Sequence, residues 1–273
     1  MKVGYLGPQG TFSEEAILSL KSFKEEELIP LATEQDVLRE TDKGRVSKGI
    51  VPIENSIEGT VNVTLDTLTF ETNLLIEREI VTPVKHNLLA PPHLGLKDIA
   101  RIISHPQATA QCRKFLSKNF PSVAIEAANS TAEAARKAAK SQDAAAIGTA
   151  LAAKLYNLSV LASKIQDYKD NQTRFVLVGR EAVPPTGRDK TSVVCFIYED
   201  RPGSLLEILQ EFAKRDINLT KIQSRPTKES LGEYYFWIDM EGHIEDKQVG
   251  AALAVLQEKI RNIKILGSYP RAR

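Results

Sequence analysis

The sequence is short of several things, and each shortage excludes a class of protein. Its 273 residues hold only two cysteines, Cys112 and Cys195, far apart in the chain. Two such residues make neither a disulfide framework nor a zinc site. There is no excess of either charge: 36 Lys+Arg face 35 Asp+Glu, a net charge of +1. The basic surplus of a nucleic-acid binder is therefore missing. Long apolar runs are missing too; stretches such as 88–90 are far too short to span a bilayer. The opening Met1-Lys2-Val3-Gly4-Tyr5-Leu6 leads straight into Gly-Pro and lacks the features of a signal or transit peptide. What is present, 42% hydrophobic and 26% charged residues, suits a folded globular chain rather than a disordered one. A cytoplasmic protein of one large domain or two ordinary ones is expected, with no nucleic-acid or membrane partner.

Short apolar runs alternate with amphipathic stretches over the first two thirds of the chain. Residues 2–6 read as a buried strand, and Thr11-x-x-Glu14 as a capping box opening a helix to about residue 23. Strands are predicted at 27–32, 50–53, 74–84, 101–104, 123–127 and 144–147. Helices are predicted from Thr33, over 63–70, and from near Pro106, Ser130 and Thr149. This alternation predicts an α/β domain with a largely parallel sheet. Residues 183–190, with two prolines and a glycine, read as a linker. Beyond it the order is strand (191–198), helix (203–215), strand (217–224), strand (233–240), helix (245–260), strand (263–268). That βαββαβ succession is the α+β ferredoxin-like module.

Polar strand–turn segments carry the candidate chemistry. Gly4-x-x-Gly7-Pro8-x-Gly10-Thr11-Phe12-Ser13-Glu14 reads either as an anion or substrate site at a helix N-terminus, with Thr11 and Ser13 supplying hydroxyls, or as a tight turn with an N-cap. Pro52-Ile53-Glu54-Asn55-Ser56-x-x-Gly59 offers Asn55 and Ser56 to a substrate, or to local backbone groups. Ser104-His105-Pro106-Gln107 again joins a strand to a helix, with Gln107 and Gln111 one turn apart. His105 offers a general base, although a lone His before Pro is more often structural, and Cys112 and Cys195 read as small buried hydrophobes. Asn171-Gln172-Thr173-Arg174-Phe175 places a hydroxyl, a fixed cation and a ring at a strand entrance. Several such segments in one α/β domain point to a shared cleft at the carboxyl ends of strands.

Taken together, these segments resemble the prephenate dehydratases: Gly-Pro-Gln-Gly-Thr-Phe-Ser-Glu at 7–14, Pro-Ile-Glu-Asn-Ser at 52–56, Ser-His-Pro-Gln at 104–107 with Gln111-Cys112, Ser-Thr-Ala-Glu-Ala-Ala at 130–135, and Thr-Arg-Phe at 173–175. The C-terminal part resembles an ACT domain of the kind fused to them. The resemblance implies a bilobal catalytic domain over 1–181, shaped like a type II periplasmic binding protein. One lobe would comprise about 1–79 and 161–181, the other about 80–160. A linker at 182–190 and an ACT regulatory domain at 191–273 would follow. It implies conversion of prephenate to phenylpyruvate, water and carbon dioxide, without a metal or other cofactor. Thr173 would be the catalytic hydroxyl, Arg174 would hold a carboxylate, and Phe175 would pack on the ring or fill core. Asn55, Ser56, Ser104, Gln107, Gln111, Ser130 and Thr131 would join Thr11 and Ser13 as substrate contacts.

In the ACT part the resemblance implies L-phenylalanine as allosteric ligand, held between two paired copies. Its site would use Gly203-Ser204-Leu205-Leu206, where the family usually has Gly-Ala-Leu. It would also use Asn218-Leu219-Thr220 and Gln223-Ser224-Arg225-Pro226, where the family usually has Glu-Ser-Arg-Pro. A homodimer, or a dimer of dimers, is the expected assembly. Chorismate mutase activity is expected to reside in a separate protein. The alternatives are an arogenate dehydratase and a non-catalytic amino-acid sensor.

Overall fold

The first stretch of the chain alternates as its caps and apolar runs predict. Strand β1 (Lys2–Leu6) is followed by α1 (Phe12–Ser19), β2 (Glu27–Leu31) and α2 (Glu34–Asp42). Strand β3 (Lys48–Asn55) turns back as the two-residue β4 (Gly59–Thr60), and α3 (Asn62–Phe70) and β5 (Leu75–Pro83) follow. The middle holds β6 (Asn87–Ala90), β7 (Arg101–Ser104), α4 (Pro106–Gln111), α5 (Arg113–Asn119), β8 (Ala124–Ala127), α6 (Thr131–Ala138), β9 (Ala144–Gly148), α7 (Ala150–Leu155), β10 (Ser159–Ala162) and β11 (Gln172–Gly179). The last stretch is β12 (Asp189–Phe196), α8 (Ser204–Ala213), β13 (Leu219–Pro226), β14 (Tyr234–Glu241), α9 (Lys247–Lys259) and β15 (Asn262–Pro270). This computed structural model describes residues 1–23, 25–198, 201–228 and 233–272. Two compact units arise, each from separate stretches: Met1–Val37, Ile50–Val61 and Val81–Phe175 form one, and Leu38–Gly49, Asn62–Ile80 and Val176–Arg273 the other.

Three sheets organise these elements. The first runs β2-β1-β3-β11-β5, with β4 paired to β3, and β1 and β2 are parallel. The second runs β10-β6-β9-β7-β8. It is mixed rather than largely parallel: β7 is parallel to β8 and β9, while β6 is antiparallel to β9 and to β10. Strands β6 and β10 run antiparallel because of partners far along the chain, Gly148 opposite Asn87 and Ala90 opposite Ser159, and the succession of elements carries no sign of that direction. Strand β9, Ala-Ala-Ala-Ile-Gly, is buried throughout. Its small side chains let the alanine face of α6 (Ala134, Ala135, Ala138) pack against it. A Cβ on Gly148 would stand 2.8 Å from Leu89 Cδ1, so the glycine at the end of β9 leaves room for that side chain of β6. The other face of the sheet packs Leu88, Ile102 and Ile147 with Cys112, Leu116 and Phe120 of the α4–α5 region. Burial pushes the Cys112 and Cys195 thiols up to about 12, as befits inert core residues.

The third sheet, β13-β14-β12-β15, is antiparallel throughout, the strand order of a ferredoxin-like module. Its core packs Ile208 and Phe212 of α8 with Val249, Leu253 and Leu256 of α9, over Val193, Cys195, Phe236 and Ile238. Other side chains of this sheet grip α3. Arg225 donates to the Asp66 carboxylate through Nε (3.1 Å) and Nη2 (2.7 Å), and the Tyr235 hydroxyl donates to it at 2.9 Å. Lys264 Nζ donates to the carbonyls of Leu68, Thr69 and Thr72 at 2.6–2.9 Å, which closes the C-terminal end of α3. Phe70 meets Tyr235 edge to face, at a centroid distance of 5.4 Å. Among the described residues no helix is long and apolar enough to cross a membrane.

Candidate active site

A cavity of about 500 Å³ opens in the first unit. Three helix N-termini border it. Thr11 caps α1, its Oγ1 accepting the Glu14 N–H at 3.4 Å and donating to the Leu6 carbonyl at 2.8 Å. Ser130 caps α6, accepting the Glu133 N–H at 3.0 Å. His105 caps α4 through Nδ1, which accepts the Gln107 N–H at 3.3 Å. Pro106 takes the first helical position, where its missing N–H costs nothing. Thr11, Ser13, His105, Gln107, Ser130 and Thr131 all line the cavity. Its apolar wall includes Phe12, Val61, Val84 and Phe175. Among the lining residues there is no Lys and no Arg; the aligned first-turn N–H groups supply the positive potential instead.

The floor is a chain of amides leading to Thr173. The Asn55 carbonyl oxygen accepts the backbone N–H groups of Ile57 (3.0 Å) and Glu58 (3.1 Å), which fixes which way its amide points. Its Nδ2 therefore donates to Thr173 Oγ1 at 2.8 Å and to Asn171 Oδ1 at 2.9 Å. Asn171 Nδ2 donates to Gln111 Oε1 at 2.9 Å. With Thr173 Oγ1 accepting from Asn55, the hydroxyl keeps its own proton for donation elsewhere. Thr173 is only 9% exposed, and it lines the cavity beside Phe175.

The remaining sequence-predicted residues lie differently. Ser56 supports the floor, accepting the Gln172 N–H at 3.0 Å, and is not among the lining residues. Ser104 is buried, donates to the His105 carbonyl at 3.1 Å, and lines a second cavity together with Pro106 and Arg113. Arg174 is also absent from the lining; its guanidinium pairs with Glu54 at 3.7 Å. The reason is the strand period. Strand β11 begins at Gln172, ahead of the motif, so Thr173 and Phe175 share one face and Arg174 takes the other. In the C-terminal module Gly203 has φ +93° at the N-cap of α8, and Ser204 Oγ donates to the Arg201 carbonyl at 3.0 Å. Leu205 packs on the core, whereas Leu206 is 57% exposed. Asn218 precedes the outer strand β13, on which Leu219, Thr220, Gln223, Ser224 and Pro226 lie. Gln223 donates to the Ser224 carbonyl at 3.1 Å, and Arg225 is committed to Asp66.

His86 is a residue of the cavity that sequence reasoning missed. It is buried, lines the cavity, meets Phe12 edge to face, and donates from Nε2 to Gln111 Oε1 at 3.0 Å. Gln111 Oε1 also receives Asn171, so it is the acceptor and His86 Nε2 carries the proton. Its Nδ1 is buried without a hydrogen-bond partner among the described residues. Burial holds the ring below the ordinary histidine value of 6.5, partly offset by Gln111, so His86 is neutral at neutral pH. A depressed histidine costs stability as pH falls below the unfolded value, because only the unfolded chain then binds the proton. The His86→Gln variant is expected to lose less of its thermal midpoint than the wild type between about pH 7 and about pH 5. Equal losses would show that His86 is not the group responsible.

A family model described as prephenate dehydratase matches residues 3–183, and an ACT domain model matches residues 191–258. The chain belongs to the prephenate dehydratase family. Over 272 residues it is 43% identical to a bifunctional chorismate mutase/prephenate dehydratase of Aquifex aeolicus, covering 100% of this chain and 74% of that one. It is 39% identical to a prephenate dehydratase of Amycolatopsis methanolica, over 99% of this chain and 89% of the relative. The solved structure of an Arthrobacter aurescens prephenate dehydratase, in complex with L-Phe, superposes with a TM-score of 0.93 at 40% identity, covering 99% and 90% of the two chains. In this prephenate dehydratase family member, the matched dehydratase segment contains the whole cavity lining, from Leu6 to Phe175.

Proposed function

We propose that the chain converts prephenate to phenylpyruvate, water and carbon dioxide, and that L-phenylalanine binding at the C-terminal module regulates it. The observation that carries the reading is the Thr173 hydroxyl, whose oxygen is occupied by Asn55 while its proton remains available at the wall of the cavity. Prephenate is a dianion with a ring, and the cavity offers three helix N-termini to carboxylates and an apolar wall to the ring. In the reaction, the bond from the ring to its carboxylate carbon breaks and carbon dioxide departs. The freed electron pair completes the aromatic ring as the opposite C–O bond breaks, and the departing hydroxide, held by the Thr173 hydrogen bond, takes a proton from solvent to leave as water. Thr173 is the donor to that departing oxygen, where negative charge develops. Arg174 acts at one remove, holding Glu54 beside Asn55 on β3.

The L-phenylalanine part rests on the ACT match and on the ligand in the Arthrobacter relative. The reading includes a cytoplasmic enzyme that pairs through its C-terminal modules, with a dimer as the smallest assembly. Phenylpyruvate release from prephenate, measured with and without L-phenylalanine and repeated with arogenate, tests it. Formation of phenylpyruvate, suppressed by L-phenylalanine, supports the proposal. A folded sample that makes none supports an amino-acid sensor, and preferential turnover of arogenate shifts the substrate to the amino analogue.

A further inference from the structure

The amide chain under Thr173 does not end at Gln111. Gln111 Nε2 donates to Glu58 Oε1 at 3.0 Å. Glu58 is also where the chain starts, because its backbone N–H donates to Asn55 Oδ1 at 3.1 Å. The bonds therefore form a closed ring: Glu58 N–H to Asn55, Asn55 to Asn171, Asn171 to Gln111, and Gln111 to the Glu58 carboxylate. Each amide in such a ring has two orientations, and reversing one reverses the donors and acceptors it shows its neighbours. Only two members cannot reverse. A backbone N–H always donates and an ionised carboxylate always accepts, and residue 58 supplies both.

We propose that Glu58 is a positioning residue for the reaction, whose carboxylate anchors the Gln111 end of the ring while its backbone N–H, with that of Ile57, anchors the Asn55 end. The backbone anchor on Asn55 leaves Thr173 to donate its proton, and the carboxylate's hold on Gln111 keeps Oε1 turned to His86, which is held as its Nε2–H tautomer. The turn is shaped to place it. Asn55 pairs with Gly59 across the β3–β4 hairpin, and Gly59 has φ +82°, a left-handed conformation that favours glycine. The side chain is itself exposed, so it adds little to the core.

The inference rests on the dehydratase reading for its kinetic consequence but not for its effect on His86, and the experiment separates the two. Glu58→Ala is expected to lower kcat by roughly ten- to a hundredfold, the effect of losing a hydrogen bond to a charged acceptor, with KM moved far less. Glu58→Gln keeps an oxygen acceptor for Gln111 and is expected to stay within about threefold of wild type. Thermal unfolding should be unchanged in both. In 15N NMR of the folded protein, the His86 ring is expected as the Nε2–H tautomer in wild type and Glu58→Gln, and as a mixture in Glu58→Ala. Wild-type turnover in Glu58→Ala, an equal loss in Glu58→Gln, or an unchanged His86 tautomer in Glu58→Ala overturns the proposal. If wild type itself makes no phenylpyruvate while the His86 pattern holds, the ring stands and the assigned reaction fails.

Discussion

Thr173→Ala is expected to bind substrate nearly as well as wild type and to lose turnover by a factor of about 10²–10⁴, the usual contribution of a positioned proton donor. The size follows from geometry. The hydroxyl is buried, its oxygen accepts from Asn55 at 2.8 Å, and the residue lines the cavity. Alanine removes the donor and leaves Asn55 Nδ2 with only Asn171 Oδ1 and the Gln172 carbonyl, at 2.9 and 3.2 Å. Thr173→Ser keeps the oxygen and proton but loses the methyl group that restricts χ1, so a smaller loss is expected. Single-turnover formation of phenylpyruvate, with binding of a substrate analogue measured separately, checks both variants. Turnover of the alanine variant within tenfold of wild type, on the order of 1.4 kcal/mol, would falsify the donor role.

The second large effect is on stability. Asp66 is 8% exposed and receives Arg225, Tyr235 and Lys228, the last at 2.6 Å. Burial works against its charge, but these three donors outweigh it and hold the carboxyl below the ordinary value of 3.8. Asp66→Ala leaves the half-buried Arg225 guanidinium and the buried Tyr235 hydroxyl without that carboxylate. A cost of about 3 kcal/mol is expected, since removing one partner strands the other charge. Lys228 is 58% exposed, so solvent screens its share. The thermal midpoint should drop by roughly 6–12 °C. A folded-state carboxyl held low contributes stability above its unfolded value and loses it as pH falls, so the gap between wild type and variant should close below about pH 4. A drop under about 2 °C at neutral pH would mean that water replaces the lost partners.

Both residues show what a sequence can and cannot display. The helix starts were legible because their signals are local: Thr11 reaches Glu14, and Ser130 reaches Glu133, three residues away. The βαββαβ order was legible because each element is long enough to show its period. Thr173, Asn55 and Gln111 were legible as members of motifs. His86 was not, because its partner lies 25 residues on and nothing around it in sequence distinguishes it. Glu58 stood as an unspecified position between Ser56 and Gly59, and its partner Gln111 is 53 residues away. Arg174 was read with its neighbours as one cluster at a strand entrance. Once the strand runs through the cluster, adjacent side chains must part to opposite faces. Asp66 carries no motif at all, and its meaning lies in residues 159 positions later.

The hold on α3 has a consequence for inheritance. Its carbonyl end is closed by Lys264, its one buried acid is answered by Arg225 and Tyr235, and its terminal ring leans on Tyr235. A regulatory module that can be shed leaves behind an enzyme that merely ignores its effector. This one cannot be shed so cleanly, because the dehydratase segment would keep a helix built to be finished by another stretch of chain. Loss or exchange of the module has to be accompanied by changes in α3, at Asp66 and Phe70 first. The two parts are expected to have diverged as a matched pair rather than as interchangeable pieces.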